Sequence, residues 1–181
     1  YLMYRNVYWH TSVRSATAMI KRCLYENLKR GTLDEDGLYG LDDESFFLLS
    51  QAERPLGKLL TRVRENRLFQ PVVEELFDEK NPIHTNALSL RQRSEYEERI
   101  EKDLNLIGGS IVIDIPERVS FESDIPVVNH QTFLGRFEDV DPLFTRSRAM
   151  EFTSSLRTVR LFADPSIDPT VLRHTWEHIH E

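Results

Sequence analysis

Hydrophobic residues recur with two different periods along this chain, and the change falls at Gly108-Gly109. Before it, apolar side chains return every three or four residues, the spacing of one helix face. After it, Ile111-Val-Ile-Asp-Ile115 and Val119-Ser-Phe-Glu-Ser-Asp-Ile125 are β-branched or alternate with period two, and Pro116 and Pro126 bound them. Helices first and strands second predict an α+β chain, with a helical part over residues 1–109 and a small α+β region over 110–181.

Within the helical part, Leu2, Trp9, Val13, Ala16, Ile20 and Leu24 stand 7, 4, 3, 4 and 4 apart. They predict one helix from residue 2 to about 30, ended by Gly31, with Lys29 and Arg30 at the negative end of its dipole. Met3, Val7 and Ala18 add apolar surface elsewhere, so its first half is expected to be buried on several sides. Asp42 or Asp43 caps a short helix through Phe46–Leu49. Pro55 opens another, with Leu56, Leu59, Leu60 and Val63 inward, and Pro71 opens a third short helical piece, Val72 to Phe77. Ser89-Leu-Arg-Gln92 has capping-box spacing. Tyr96, Ile100, Leu104 and Ile107 then repeat as far as Gly108-Gly109. Beyond residue 110 we expect a helix near Ser147 to Leu156 and a strand from Thr158 to Ala163. Asp168-Pro169 opens a last helix with Leu172, Trp176 and Ile179 inward.

Charge narrows the function classes. The 181 residues hold 23 Lys+Arg against 30 Asp+Glu, a formal net of -7, which argues against a general nucleic-acid surface. Residues 1–31 nevertheless carry six basic residues against Glu26, a local net of +5, and residues 32–53 carry seven acids and no base. Each patch reads as a solvated face, with room left for a local basic pocket. Cys23, the one cysteine, excludes an internal disulfide framework and suits a reducing, cytoplasmic setting. No apolar run approaches the roughly 18 residues of a membrane span, and no leader pattern is visible. The chain starts with Tyr1, already in a helical pattern and without a capping residue, which reads as a beginning inside a longer protein.

Two motifs invite metal chemistry and lack ligands for it. His174-Thr-Trp-Glu177-His178 spells the inverted zincin pattern, but only three residues follow it to supply a further ligand. The stretch from Thr32 to Asp43 has the glycine and two of the acids of an EF-hand loop, but Thr32 and Asp43 are weak at the two key positions. An acidic loop that caps the next helix is the simpler account. There is no G-x-S-x-G elbow, P-loop or dinucleotide glycine fingerprint, and Cys23 lies on the inward helix flank as a buried thiol. At the head of the first helix, Arg5 and Tyr8 stand three apart and share a face. Arg5 could pair with a phosphate there while Tyr8 shapes a pocket wall. His10, two residues past Tyr8, lies roughly 200° around a continuous helix and so belongs to a different site.

The run Tyr4-Arg5-Asn-Val-Tyr8-Trp-His10-Thr, followed by Val13, Met19-Ile20 and Leu24, resembles the later half of HD-domain phosphohydrolases. It is most similar to the branch of deoxynucleoside triphosphate triphosphohydrolases. Leu41-Asp42-Asp43-Glu44-Ser45-Phe46 and Arg67-Leu68-Phe69 match the continuation, and Val119 to Pro126 resembles the family's C-terminal strand region. The resemblance implies a nucleotide substrate beside Tyr8 and an effector-nucleotide surface at His10, where the family's following lysine is Thr11 here. It also implies a divalent metal (Mg, Mn, Fe or Zn) held by His, His-Asp and Asp ligands. This sequence contains no His-Asp dipeptide, so those ligands are expected before residue 1, and the chain alone is expected to be inactive. The expected role is a substrate-pocket wall and a homo-oligomerisation surface. The alternatives are a non-catalytic α+β regulatory or oligomerisation module and, more distantly, a self-contained zinc hydrolase using His174, Glu177 and His178.

Overall fold

A computed structural model describes residues 3–49, 56–117, 125–130, 132–140, 151, 154 and 156–179, without the side chains of Tyr4, Arg5 and Glu138. The expectations for Pro55, for residues 119–124 and for most of the Ser147 to Leu156 helix lie outside the described residues. The architecture is α+β, built around a three-stranded antiparallel sheet. Its central strand, β5 (Thr158–Ala163), pairs on one side with β1 (Gln70–Leu76) and on the other with β2 (Ile111–Asp114). The sheet therefore draws strands from both sides of residue 109.

Helices cover both faces of this sheet, which is why every residue of β2 is buried although its sequence does not alternate. On one face Ile111, Ile113, Val159 and Leu161 pack with Ile83, Ala87, Ile100, Leu172 and Trp176. Those five come from α4 (Pro82–Asn86) and its cap, α5 (Leu90–Asp103) and the last helix, α7 (Pro169–Glu177). On the other face Val112 and Phe162 meet Ala18, Met19 and Cys23 of α1 (Thr11–Lys29) and Leu59 and Leu60 of α3 (Gly57–Arg64). Met19, Leu59, Leu60 and Phe162 are almost wholly buried, each stabilising the fold by about 1.5–3 kcal/mol. A separate hairpin, β3 (Pro126–Asn129) with β4 (Thr132–Arg136), continues into the short α6 (Phe137–Val140).

Several expectations hold. Asp42 Oδ1 accepts the Ser45 N–H at 2.8 Å and caps α2 (Asp43–Leu48). Asp168 does the same for Thr170 at the head of α7, with Pro169 in the first turn. Gly31 follows α1 with φ +65°, as a C-terminal stop requires.

Others are corrected. Residues 70–76 form a strand, not a helix, because Val72 and Val73 are β-branched and an edge strand tolerates Pro71. The first helix is not continuous: a π-helical turn, Tyr4–Tyr8, precedes a break, and α1 starts at Thr11 with His10 as its cap. Met3 and Val7 are exposed rather than buried. The inward stripe of α1 is Ser15, Ala18, Met19, Arg22, Cys23, Glu26 and Asn27, whereas Val13 is exposed. Hydrophobicity alone misplaces that face because two of its residues are paired charges. Ser89 precedes α5, but its side chain makes no capping bond. That helix ends at Asp103, where Asn105, at φ +56°, makes the left-handed turn expected of Gly108-Gly109. Gly109 serves another purpose, since a Cβ there would lie 2.7 Å from Leu56 Cδ2.

Candidate functional site

The strand β2 lies at the edge of the sheet, so its outer N–H and C=O groups need partners that no strand supplies. Side chains from α5 and α1 provide them. Glu101 Oε1 accepts the N–H groups of Ser110 at 2.8 Å and Ile111 at 3.2 Å, and Glu97 Oε1 accepts that of Ile113 at 2.6 Å. Arg22 of α1 donates to the Ile111 carbonyl and closes a bidentate pair with Glu101, at 2.8 and 2.7 Å. Its Nε stands 3.1 Å from Glu97 Oε2. All three charged residues are buried, so the basic patch of residues 1–31 is only in part a solvated face.

Two further groups extend this seam. Glu26, also buried, accepts the Ser94 hydroxyl at 2.6 Å and lies beside Lys29 and Arg30. On the α1 side of the sheet, Asp114 is fully buried and held bidentately by Arg14, at 2.5 and 2.8 Å. Arg160 stands opposite both Asp114 and Glu74 in the strand register and donates to Glu74 at 2.9 Å.

Protonation follows from these contacts. Burial pushes Glu97 up to about 7, outweighing the attraction of Arg22, which shares its charge with Glu101. Burial works against Arg22 too, but Glu97 and Glu101 hold its guanidinium above the usual arginine range. Burial also opposes ionisation of Glu26, yet the Ser94 hydroxyl, Lys29, Arg30 and Arg22 keep it below the usual carboxylate range. In contrast, burial pulls Arg93 below the usual range.

The sequence-derived site residues lie at the other end of α1. The Tyr8 side chain is 53% exposed at the end of the π-helical turn, alongside exposed Met3, Val7 and Val13. His10 is exposed, and its Nδ1 accepts the Ser12 N–H at 3.4 Å. The break at Trp9-His10 removes the continuous-helix argument for separating Tyr8 from His10. The Arg5 side chain lies outside the described residues, so its expected pairing with Tyr8 has no geometry here.

The motifs read for metal chemistry have other bonds. The His174 and His178 rings stack at 4.4 Å on the exposed side of α7, and His178 Nδ1 donates to the His174 carbonyl at 2.8 Å. The helix instead anchors to β1, where Trp176 Nε1 donates to Glu75 and Arg173 Nε to the Val72 carbonyl, both at 2.9 Å. In the acidic loop, Asp34 Oδ1 accepts the Gly37 N–H at 2.6 Å. Among the described residues no three His, Cys, Asp or Glu side chains gather closely enough to hold a metal ion, and no helix is long and apolar enough to cross a membrane. The metal that the resemblance implies does not fit these residues.

Sequence reading missed Arg93, Glu97 and Glu101. The signal was present, because the three stand four apart on one stripe of α5. Only their burial distinguishes that stripe from an exposed salt-bridged face.

Comparison with known proteins adds a family. Residues 1–159 match a family model described as an HD associated region. An uncharacterized protein of Methanocaldococcus jannaschii is 28% identical over 153 residues, covering 78% of this chain and 31% of that protein. The chain thus spans about a third of the length of the curated relative it matches. No solved structure matches the chain.

Proposed function

The chain belongs to the HD-associated region family, and on that basis we propose that it serves a metal-dependent nucleotide phosphohydrolase as the region beside the HD catalytic domain. The family match over residues 1–159 carries this reading. The divalent metal and its His, His-Asp and Asp ligands belong to the HD domain, and the substrate is a deoxynucleoside triphosphate. Tyr8 forms part of the wall against which that nucleotide is positioned, with Arg5 beside a phosphate and His10 toward an effector nucleotide. The exposure of Tyr8 and Val7 on one short turn, with Met3 just before it, supports a surface completed by another domain.

Assembly is the second part of the role. The β3–β4 hairpin, against which α6 packs, exposes Val128, Phe133 and Leu134, an apolar surface of the kind that partners cover. We assign it to a homo-oligomer interface.

The test is an assay of each deoxynucleoside triphosphate with Mg²⁺ or Mn²⁺, on the 181-residue chain and on the protein that carries it with an HD domain. We expect turnover only from the second. Turnover proportional to the chain alone, surviving repeat purification, would contradict the proposal. A soluble HD-bearing protein with no phosphohydrolase activity would favour a non-catalytic regulatory module.

A further inference from the structure

The two edges of the central sheet differ. At β2, Glu97, Glu101 and Arg22 occupy the outward backbone groups. At the end of β1, the Phe77 N–H donates to the Arg157 carbonyl at 2.8 Å. Antiparallel pairing alternates from there, so Val73, Glu75 and Phe77 turn their N–H and C=O groups toward β5. Glu74 and Leu76 turn theirs outward, where those groups have no hydrogen-bond partner among the described residues. The Val72 carbonyl, at the bulge, is covered by Arg173. The Leu76 side chain is 63% exposed. One edge is sealed by buried charges and the other is bare.

A cleft of about 280 Å³ lies beside the bare edge, between β1 and α7, with Val73, Glu75, Arg173, Trp176 and Glu177 in its walls. It has room for a long side chain. Trp176 holds the Glu75 carboxylate, which also lies 3.3 Å from His84 Nε2. Glu177 is exposed and has no ion-pair partner among the described residues. Arg173, the cation in this wall, is tied through Nε to the Val72 carbonyl. On the other face of the strand Glu74 pairs with Arg160 beside the exposed Leu76. The edge thus presents carboxylates toward the cleft and an apolar side chain on the opposite face.

We propose that the β1 edge docks an extended, basic segment of a partner protein as an added strand. Its backbone pairs with Glu74 and Leu76, its Lys or Arg side chains enter the cleft toward Glu75 and Glu177, and its apolar side chains cover Leu76. A second copy is a poor occupant. Antiparallel self-pairing centred on Glu74, Glu75 or Leu76 sets Glu74 against Glu74, Glu75 against Glu75, or Glu74 against Asp78, and like charges directly opposite repel. Charge that selects among strands acts on free partners, whereas a segment of the same polypeptide is selected by connectivity. The docking edge does not depend on the catalytic reading.

The probe is a capped peptide of alternating Lys and Val, added to the 181-residue chain at constant ionic strength. Peptides of alternating Glu and Val, and of alternating Lys and Pro, are the controls, since proline cannot continue a hydrogen-bonded ladder. The readouts are hydrogen exchange at the Glu74 and Leu76 amides and the resonance of the Trp176 indole N–H. We expect saturable binding of the Lys-Val peptide that slows both amides and shifts the indole, with neither effect from the controls. Leu76→Pro removes an outward N–H and no bond to β5, and should weaken binding by tenfold or more. Glu177→Lys, at an exposed position, should weaken it several-fold and decides the matter if Leu76→Pro does not fold. Equal binding of the Lys-Pro peptide, unprotected Glu74 and Leu76 amides, or affinity unchanged in Glu177→Lys and in any folded Leu76→Pro would overturn the site. Protection of the two amides without peptide would also overturn it: a rise with chain concentration identifies a second copy, and protection in the protein that carries the HD domain identifies its own chain.

Discussion

Glu97 on α5 accepts the N–H of Ile113 on β2 at 2.6 Å, so a helix side chain completes the hydrogen bonding of a sheet edge. Glu101 repeats the arrangement one turn later with Ser110 and Ile111, and Arg22 binds both carboxylates from α1. The buried charges thus do two things at once. They seal an exposed strand edge, and they fix two helices against it.

Removing the shared cation should be costly. Arg22→Met preserves much of the packing but leaves Glu97 and Glu101 buried without their main counter-charge, and we expect a loss of about 3–5 kcal/mol. Urea unfolding measures it. A loss below about 1 kcal/mol would mean that water, not Arg22, compensates the carboxylates.

The pH dependence has a definite sign. Glu97 in the folded protein titrates near 7, above its value in an unfolded chain, so the folded state binds the extra proton. Arg22 from α1, Arg93 and Glu101 from α5, and the Ile113 N–H from β2 face this carboxyl. Its contribution is fully present below about pH 4.3 and is lost as pH rises to about 7, by roughly 3 kcal/mol. Glu97→Gln should remove that slope. Unfolding free energies for both proteins between pH 4.5 and 7.5 give the difference curve, and parallel curves would contradict the assignment.

Adjacent glycines should respond unequally. Gly109 has φ +76° and meets Leu56, whereas Gly108 has open space and no such φ. Gly109→Ala should lower stability by about 1–2 kcal/mol and Gly108→Ala by less than about 0.5 kcal/mol. Thermal unfolding of the pair separates them, and equal losses would place the constraint elsewhere.

How far the sequence was readable follows the same division between local and distant causes. Asp42, Asp168-Pro169 and Gly31 act through bonds within a few residues, so capping rules locate their helices. The Ile111 and Thr158 strands stand out because both of their faces are buried. Val72-Val73 looked helical after Pro71 because nothing local reveals that β5, some ninety residues later, pairs with it. The inward face of α1 was misplaced for a related reason: Arg22 and Glu26 are tolerated inside only because α5 brings Glu101 and Ser94 to meet them. Of the candidate site, Tyr8 and His10 were visible as residue types in a familiar order. The break between them was not, because no Gly or Pro marks the point where the π-helical turn ends and α1 begins at Thr11.

Tyr8 carries the central claim that this region lines a nucleotide pocket. The decisive measurement is kcat/KM for deoxynucleoside triphosphate hydrolysis by Tyr8→Ala in the protein carrying both this region and its HD domain, taken together with its melting temperature and with His10→Ala as control. Tyr8 is half-exposed within this chain, so truncation should leave the melting temperature nearly unchanged. We expect kcat/KM to fall about tenfold or more through lost positioning, while His10→Ala leaves the chemical step largely intact and alters activation or assembly. Unchanged kcat/KM per folded molecule in Tyr8→Ala, with equal thermal losses in both variants, would show that this segment is packing and not a substrate wall.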